Sequence, residues 1–555
     1  MKQTACWLAL FAAAAGPDGA QAQSARSAFE MPAQLAPLSA AGIPAQSACE
    51  GLPGLASLRQ LPGLTIKQAV EIPAGPLPAG TPAPTFPPNT PAAALPTYCK
   101  VTAVIAPAIG FELWMPTRAW NGRFQGMGNH GFAGALDYGD MSWQLSRGYV
   151  VASTDTGHAG NDPLPWMRNP QQLFDYGYRA VHEMTTGAKA IVAAFYGQPA
   201  RFSYWNGCST GGKEALMEAQ RYPADYDGIN VGDANFDQIG NRAQYVWNGQ
   251  ATFAKPATRL PADKLKLINK TVLAACDRLD GVADGVIEDP RQCHFEPRSL
   301  QCKPGEDPAA CLSADQVGAL TKLYAGPSNP RTGQSIYPGL TVGSELGWGG
   351  VVAGPTIYST ADQFFKYMVF NNPDWDYRGF DFDSDWRAST VDLAAILNAD
   401  SPDLRAFERT GGKMLQYHGW KDTVHPAMRS VQYYESVLDS IEPKASRARR
   451  IARTQDFYRL FMVPASNGCA SAGPGADMFD PMDTITKWVE QGEAPGQMVV
   501  AHRSEGKVDQ TRALCPYPQV ARYRGNGGTG DAGSFACEGG DAGAVGAAGP
   551  ALKRR

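Results

Sequence analysis

The chain has 555 residues and a formal net charge of −4. No basic stripe accompanies that charge, so nucleic acid is not an expected partner. The length suits one large catalytic domain with an insertion, and no internal repeat is visible.

Residues 1–22 read as a secretory signal. Lys2 supplies a weak positive start, Trp7 to Ala15 is a short apolar core, and Gly19-Ala20-Gln21-Ala22 offers an A-x-A-type cleavage site. The core is too short to span a bilayer, and no later apolar run approaches about 20 residues. A secreted or periplasmic protein without a membrane span is expected. Residues 23–99 form an N-terminal Pro/Ala-rich segment leading into the core, densely prolinated from Pro73 to Pro96.

Of 11 cysteines, Cys6 lies in the signal, which leaves an even set of ten. In an oxidising compartment five disulfides follow. The sequence leaves the connectivity open. Short loops suggest Cys276–Cys293, Cys302–Cys311 and Cys515–Cys537, with Cys49, Cys99, Cys208 and Cys469 remaining as Cys49–Cys99 and Cys208–Cys469. A zinc site is disfavoured, since neither C-x-x-C nor a His-rich cluster is present.

Regular structure is expected from about Lys100. Val101–Ile105 and Gly110–Met115 read as a hairpin, and Arg123–Gly128 and Tyr149–Ser153 as further strands. Tyr178–Phe195 places Val181, Met184, Ala188, Ile191 and Phe195 on one helical face. The strand-like Arg201–Trp205 and a helix over Lys213–Tyr222 continue the alternating pattern of an α/β protein. Residues 100–235 are therefore assigned to the first part of a core. Residues 236–410, with mixed helices, cysteine-closed loops and an aromatic run over 364–386, read as an inserted lid domain. The sheet resumes in 411–540, with strands at Gly412–Asp422 and Phe457–Val463, and 541–555 is a flexible tail.

Between the strand and the helix, Gly207-Cys208-Ser209-Thr210-Gly211 forms a G-x-S-x-G motif. A serine on a sharp strand-to-helix turn projects its hydroxyl from the top of a sheet. Ser209 is the candidate nucleophile. The Thr210 amide at the helix N-terminus and an amide of the Gly128–Gly131 loop, best Gly131, are the candidate oxyanion donors.

Asp277, Asp280 and Asp284 lie in a glycine-punctuated loop between Cys276 and Cys293. Carboxylates at this spacing, with the carbonyls of Val282 and Val286, suit a hard cation such as Ca2+ in a structural role. The loop is not an EF-hand, since no glutamate stands at its twelfth position.

The set Gly207-Cys208-Ser209-Thr210-Gly211-Gly212, Tyr417-His418-Gly419-Trp420 with Asp422, and Cys515-Pro516-Tyr517-Pro518-Gln519-Val520-Ala521 resembles the tannase/feruloyl esterase family. The resemblance runs from about Cys49 to Cys537. It implies an α/β-hydrolase core with an inserted lid domain and a lid calcium site matching Asp277, Asp280, Val282, Asp284 and Val286. It also implies hydrolysis of aromatic-acid esters by Ser209 with Asp422 as the acid, and a Cys208–Cys469 bridge beside the triad. The family's histidine precedes the second of these cysteines, and here that position is Gly468.

No histidine lies between His425 and His502, so a shifted alignment does not restore it. Of seven histidines, His130 in the oxyanion loop and His425 just past Asp422 are the candidates for a substitute base. The expected function is a secreted serine esterase acting on a small galloyl, feruloyl or terephthalate-type ester, impaired by Gly468. The alternative is a relative that binds such esters without turnover. Arg378 and Lys366 are candidates for pairing with an acid group or phenol on the substrate. The oligomeric state is left open.

Overall fold

A computed structural model describes residues 42–77, 80–82, 84, 94–132, 134–160, 166–352, 356–469, 475–476, 478–504 and 507–539. The expected signal (1–22) and tail (541–555) lie outside the described residues, as does much of the prolinated stretch.

Nine strands form one sheet: β1 (Leu64–Ile72), β2 (Tyr98–Ile105), β3 (Ile109–Pro116), β4 (Arg123–Met127), β5 (Val150–Thr154), β6 (Phe202–Cys208), β7 (Gly228–Gly232), β8 (Lys413–Gly419) and β9 (Tyr458–Val463). Their order across the sheet is β1-β2-β3-β5-β4-β6-β7-β8-β9. The first three pairings are antiparallel and the rest parallel. The parallel strands β4 to β7 are almost wholly buried, as expected where helices cover both faces. On one face lie α2 (Ala180–Tyr196), α3 (Thr210–Arg221) and α5 (Met428–Ile441), and on the other α1 (Tyr138–Ser146) and α6 (Pro481–Gln491).

The segment between β7 and β8 adds no strand among its described residues. It opens with α4 (Gln238–Thr252) and gathers its own apolar cluster around Ile239, Val246, Ile268, Leu320, Phe364 and Phe365, joined from the sheet side by Phe132, Trp166 and Tyr176. Within it the aromatic run packs on itself: the Phe365 ring stands 5.0 Å from Trp375 and 4.8 Å from Phe380.

All five disulfides join the expected pairs, the three suggested by short loops and the two that remained. One expectation is corrected. Regular structure begins well before Lys100: two short helical turns, Cys49–Gly54 and Ala56–Arg59, lead into β1, and Leu64–Ile72 pairs along β2 as a half-exposed edge strand. The strand expected at Phe457–Val463 closes the main sheet as β9. Two hairpins follow: β10 (Met498–Ser504) with β11 (Lys507–Leu514), and β12 (Gln519–Tyr523) with β13 (Phe535–Gly539). The Gly-rich stretch from Gly525 is thus tied back through β13 as well as through Cys537.

Candidate active site

The C-terminal ends of β6, β7 and β8 meet at one edge of the sheet, where open α/β sheets place their ligands. They deliver Ser209, Asp233 and Asp422. Ser209 has φ 59° and ψ −116°, a conformation that non-glycine residues rarely adopt. Steric demand explains the glycines around it. A Cβ on Gly207 would stand 2.4 Å from the Gly211 carbonyl oxygen, and one on Gly211 would stand 2.8 Å from Gly128 Cα. The elbow and the Gly128–Gly131 loop therefore touch backbone to backbone.

That loop is firmly held. Gly211 N–H donates to Asn129 O at 2.7 Å, Asn129 N–H donates to Glu214 Oε2 at 3.0 Å, and the Thr210 and Tyr176 hydroxyls both donate to Gly131 O, at 2.8 and 3.1 Å. Tyr176 comes from a wide helical turn, Asp175–Arg179, immediately before α2, and turns of this kind recur at functional sites. Neither the Thr210 nor the Gly131 N–H donates to a described residue.

On the acid side, Asp422 is 1 % exposed. Its Oδ1 accepts the N–H groups of Val424 and His425 at 2.8 and 2.9 Å, and Oδ2 lies 3.3 Å from His425 Nδ1 and 3.5 Å from His418 Nε2. Burial works to raise this carboxyl's pKa, but the two imidazoles outweigh it and hold it below the ordinary carboxylate value. Position 468 faces the same group, since a Cβ on Gly468 would stand 3.3 Å from Asp422 Oδ2. With Gly468 opposite, His425 is the imidazole that stands against Asp422.

The other histidines are engaged elsewhere. His130 Nε2 lies 3.7 Å from Asp137 Oδ2, and that carboxylate raises its pKa. His158 stacks on Trp166 and meets Phe132 O, His182 meets Asp225, His502 meets Asp509, and His294 is exposed. His418 is buried, its Nδ1 at 2.7 Å from Ser430 Oγ and its Nε2–H donating to His425 O at 2.7 Å. It braces the acid loop. The partners assigned to these imidazoles do not include Ser209 Oγ.

Several site residues carry no sequence signal. Asp233 is fully buried at the end of β7. Its Oδ1 accepts Gly419 N–H at 2.7 Å, and its Oδ2 lies 3.5 Å from Cys208 Sγ. Burial pushes its pKa up to about 7, against the pull of His418. It links the nucleophile elbow to the start of the acid loop. Lys366 and Arg378, the expected substrate cations, are instead paired with Asp362 at 2.9 Å and Asp376 at 3.0 Å.

In the acidic loop, Asp277, Asp280 and Asp284 each accept a backbone N–H through Oδ1, from Gly285, Val282 and Val286. The buried Arg512 guanidinium from β11 meets Asp280 at 2.6 Å, Asp284 at 2.5 Å and Glu288 at 3.1 Å. The carbonyls of Val282 and Val286 accept no hydrogen bond from described residues. Lys421 also acts on Asp277 and Asp284, so it is the donor types, carboxylates and carbonyls, that fit a hard cation. No three loop carboxylates bring oxygens within 4.8 Å of one another, so binding would draw the loop inward.

Known proteins decide the family. The model described as tannase and feruloyl esterase matches residues 94–538. The chain belongs to this family of carboxylic ester hydrolases. It is 37 % identical over 523 residues to an uncharacterized esterase of Xanthomonas campestris, covering 85 % of this chain and 88 % of that one. It is 34 % identical over 530 residues to the mono(2-hydroxyethyl) terephthalate hydrolase of Piscinibacter sakaiensis, covering 80 % and 85 %. The crystal structure of feruloyl esterase B from Aspergillus oryzae superposes with a TM-score of 0.78 at 25 % identity, over 88 % of this chain and all of that one. The fold is accordingly of the α/β-hydrolase type.

Proposed function

We propose that the chain is an exported serine esterase for esters of aromatic acids, with His425 as its base in place of the histidine absent at 468. The carrying observation is the 3.3 Å contact between Asp422 Oδ2 and His425 Nδ1. An imidazole whose Nδ1–H is held by a buried carboxylate has the tautomer and orientation of a general base. In this reading Ser209 Oγ attacks the ester carbonyl and its proton passes to His425 Nε2. The Thr210 and Gly131 amides bind the oxyanion, the alcohol leaves with the proton, and water releases the acid from Ser209. Because the imidazole is supplied from a new position, turnover is lower than a histidine at 468 would give.

A second reading, ester binding without turnover, is favoured by one observation: none of the described imidazoles hydrogen-bonds Ser209 Oγ in the resting site. Hydrolysis of methyl gallate, methyl ferulate and mono(2-hydroxyethyl) terephthalate by the unmodified chain, Ser209→Ala and His425→Ala separates the two. Activity lost in both variants supports the esterase with His425 as base. Absence of turnover in the unmodified chain supports the binding protein.

Export is supported by the five disulfides; among described residues no helix is long and apolar enough to cross a membrane. Residues 236–410 act as a lid over the site. Ca2+ would be held by Asp277, Asp280, Asp284 and the carbonyls of Val282 and Val286. When bound it offsets the negative charge of the loop and takes no part in ester cleavage.

A further inference from the structure

A buried guanidinium without a carboxylate is rare, because arginine stays charged and cannot escape burial by losing its proton. Arg242, in the first turns of α4, is 3 % exposed. Its Nη1 donates to Asn241 Oδ1 at 2.6 Å, and its Nε–H has no partner. No ion pair to it occurs among the described residues. Its surroundings are aromatic: the guanidinium lies 5.2 Å over the Phe132 ring, and the groups that act on it electrostatically are Tyr245, Tyr176, Tyr337 and Tyr358.

Its place in the fold ties it to the candidate active site. Phe132 follows Gly131, whose carbonyl receives the Thr210 and Tyr176 hydroxyls. On the other side, Asn241 Nδ2 and Tyr245 Oη donate to Val424 O at 2.7 and 2.8 Å, and Val424 N–H donates to Asp422. Arg242 thus stands between the oxyanion loop and the acid loop.

From this juxtaposition we infer that Arg242 selects esters bearing a second, anionic group, a carboxylate remote from the scissile bond. A carboxylate takes a guanidinium through two parallel hydrogen bonds, and the surrounding rings suit the aromatic body between that carboxylate and the ester. A neutral ester leaves the guanidinium as it stands. The inference rests on the proposed function only in placing the ester at Ser209, and it does not depend on which histidine is the base.

Binding tests it without turnover. Terephthalate and methyl benzoate are titrated calorimetrically into the full chain carrying Ser209→Ala, alone and with Arg242→Gln, Arg242→Met or Arg242→Lys. The expected result is a loss of terephthalate affinity of about tenfold or more in the Gln and Met variants and a smaller loss in the Lys variant. Methyl benzoate binding should be unchanged. Because the substitutions remove an unpaired buried charge, the melting temperature should hold or rise. Equal losses for both ligands, or unchanged terephthalate binding in a folded Gln or Met variant, would overturn the assignment. Failure of hydrolysis in the unmodified chain would sink the esterase reading and leave this result intact.

Discussion

The carboxylate of Asp422 meets the ring of His425 at 3.3 Å, on the side where a Cβ at position 468 would also stand at 3.3 Å. Two positions thus compete for one acid, and only one of them carries an imidazole. His425→Ala should lower kcat by about 10²–10⁴-fold, the range for loss of a general base, with Ser209→Ala equally inactive. A His425→Ala protein that keeps its kcat would remove His425 from the chemistry.

Restoring histidine at 468 should work only in part. Gly468 has φ 122°, which an L side chain rarely adopts, so the backbone must shift and about 1–3 kcal/mol of strain opposes the change. Gly468→His should raise kcat by about tenfold or more while lowering Tm. Combined with His425→Ala, it should retain its gain. A double variant as inactive as His425→Ala alone would mean that the new ring never reaches Ser209.

The pH dependence of stability should show Asp233. Its folded pKa of about 7 lies above the unfolded carboxylate value. Its favourable contribution is therefore complete below about pH 4 and is lost as pH climbs through about 7. The Tm of Asp233→Asn, relative to the unmodified chain, should rise between those pH values, by the equivalent of a few kcal/mol at most. A constant difference across the range would place Asp233 at an ordinary pKa.

The acidic loop offers a separate test. Arg512→Ala strips the cation from buried Asp280 and Glu288 and should destabilise by about 3–5 kcal/mol. Chelation of Ca2+ should lower Tm in the unmodified chain, and Asp280→Asn should blunt that response. A Tm indifferent to both chelator and added Ca2+ would leave Arg512 and Lys421 as the loop's counter-charges.

What could be read in the residues beforehand follows a physical division. The elbow was legible because Gly207 and Gly211 are demanded by contacts within a few residues of each other, with Gly128 closing on them. Short disulfide loops were legible for the same reason. Strand β1 was not: Thr65-Ile66-Lys67-Gln68-Ala69-Val70-Glu71 is half exposed at the sheet edge, so it lacks the apolar run that marks β5 or β9. Asp233 and Arg242 owe their character to burial by segments far away in the chain. Lys366 and Arg378 stood out in the sequence because of their aromatic neighbours, but each has a nearby aspartate that takes its charge. The metal loop showed its carboxylates, while Arg512 comes from more than two hundred residues further on.

The Cys208–Cys469 bridge has a sequence separation of 261, and the whole stretch from the nucleophile helix through the inserted segment to β9 lies inside that ring. A protease that nicks an exposed turn there cannot part the molecule. The two fragments stay bound on either side of Ser209 and Gly468, and they separate only under a reductant. Against any protease, that one bond turns a cut in its largest excursion from a fatal event into a survivable one.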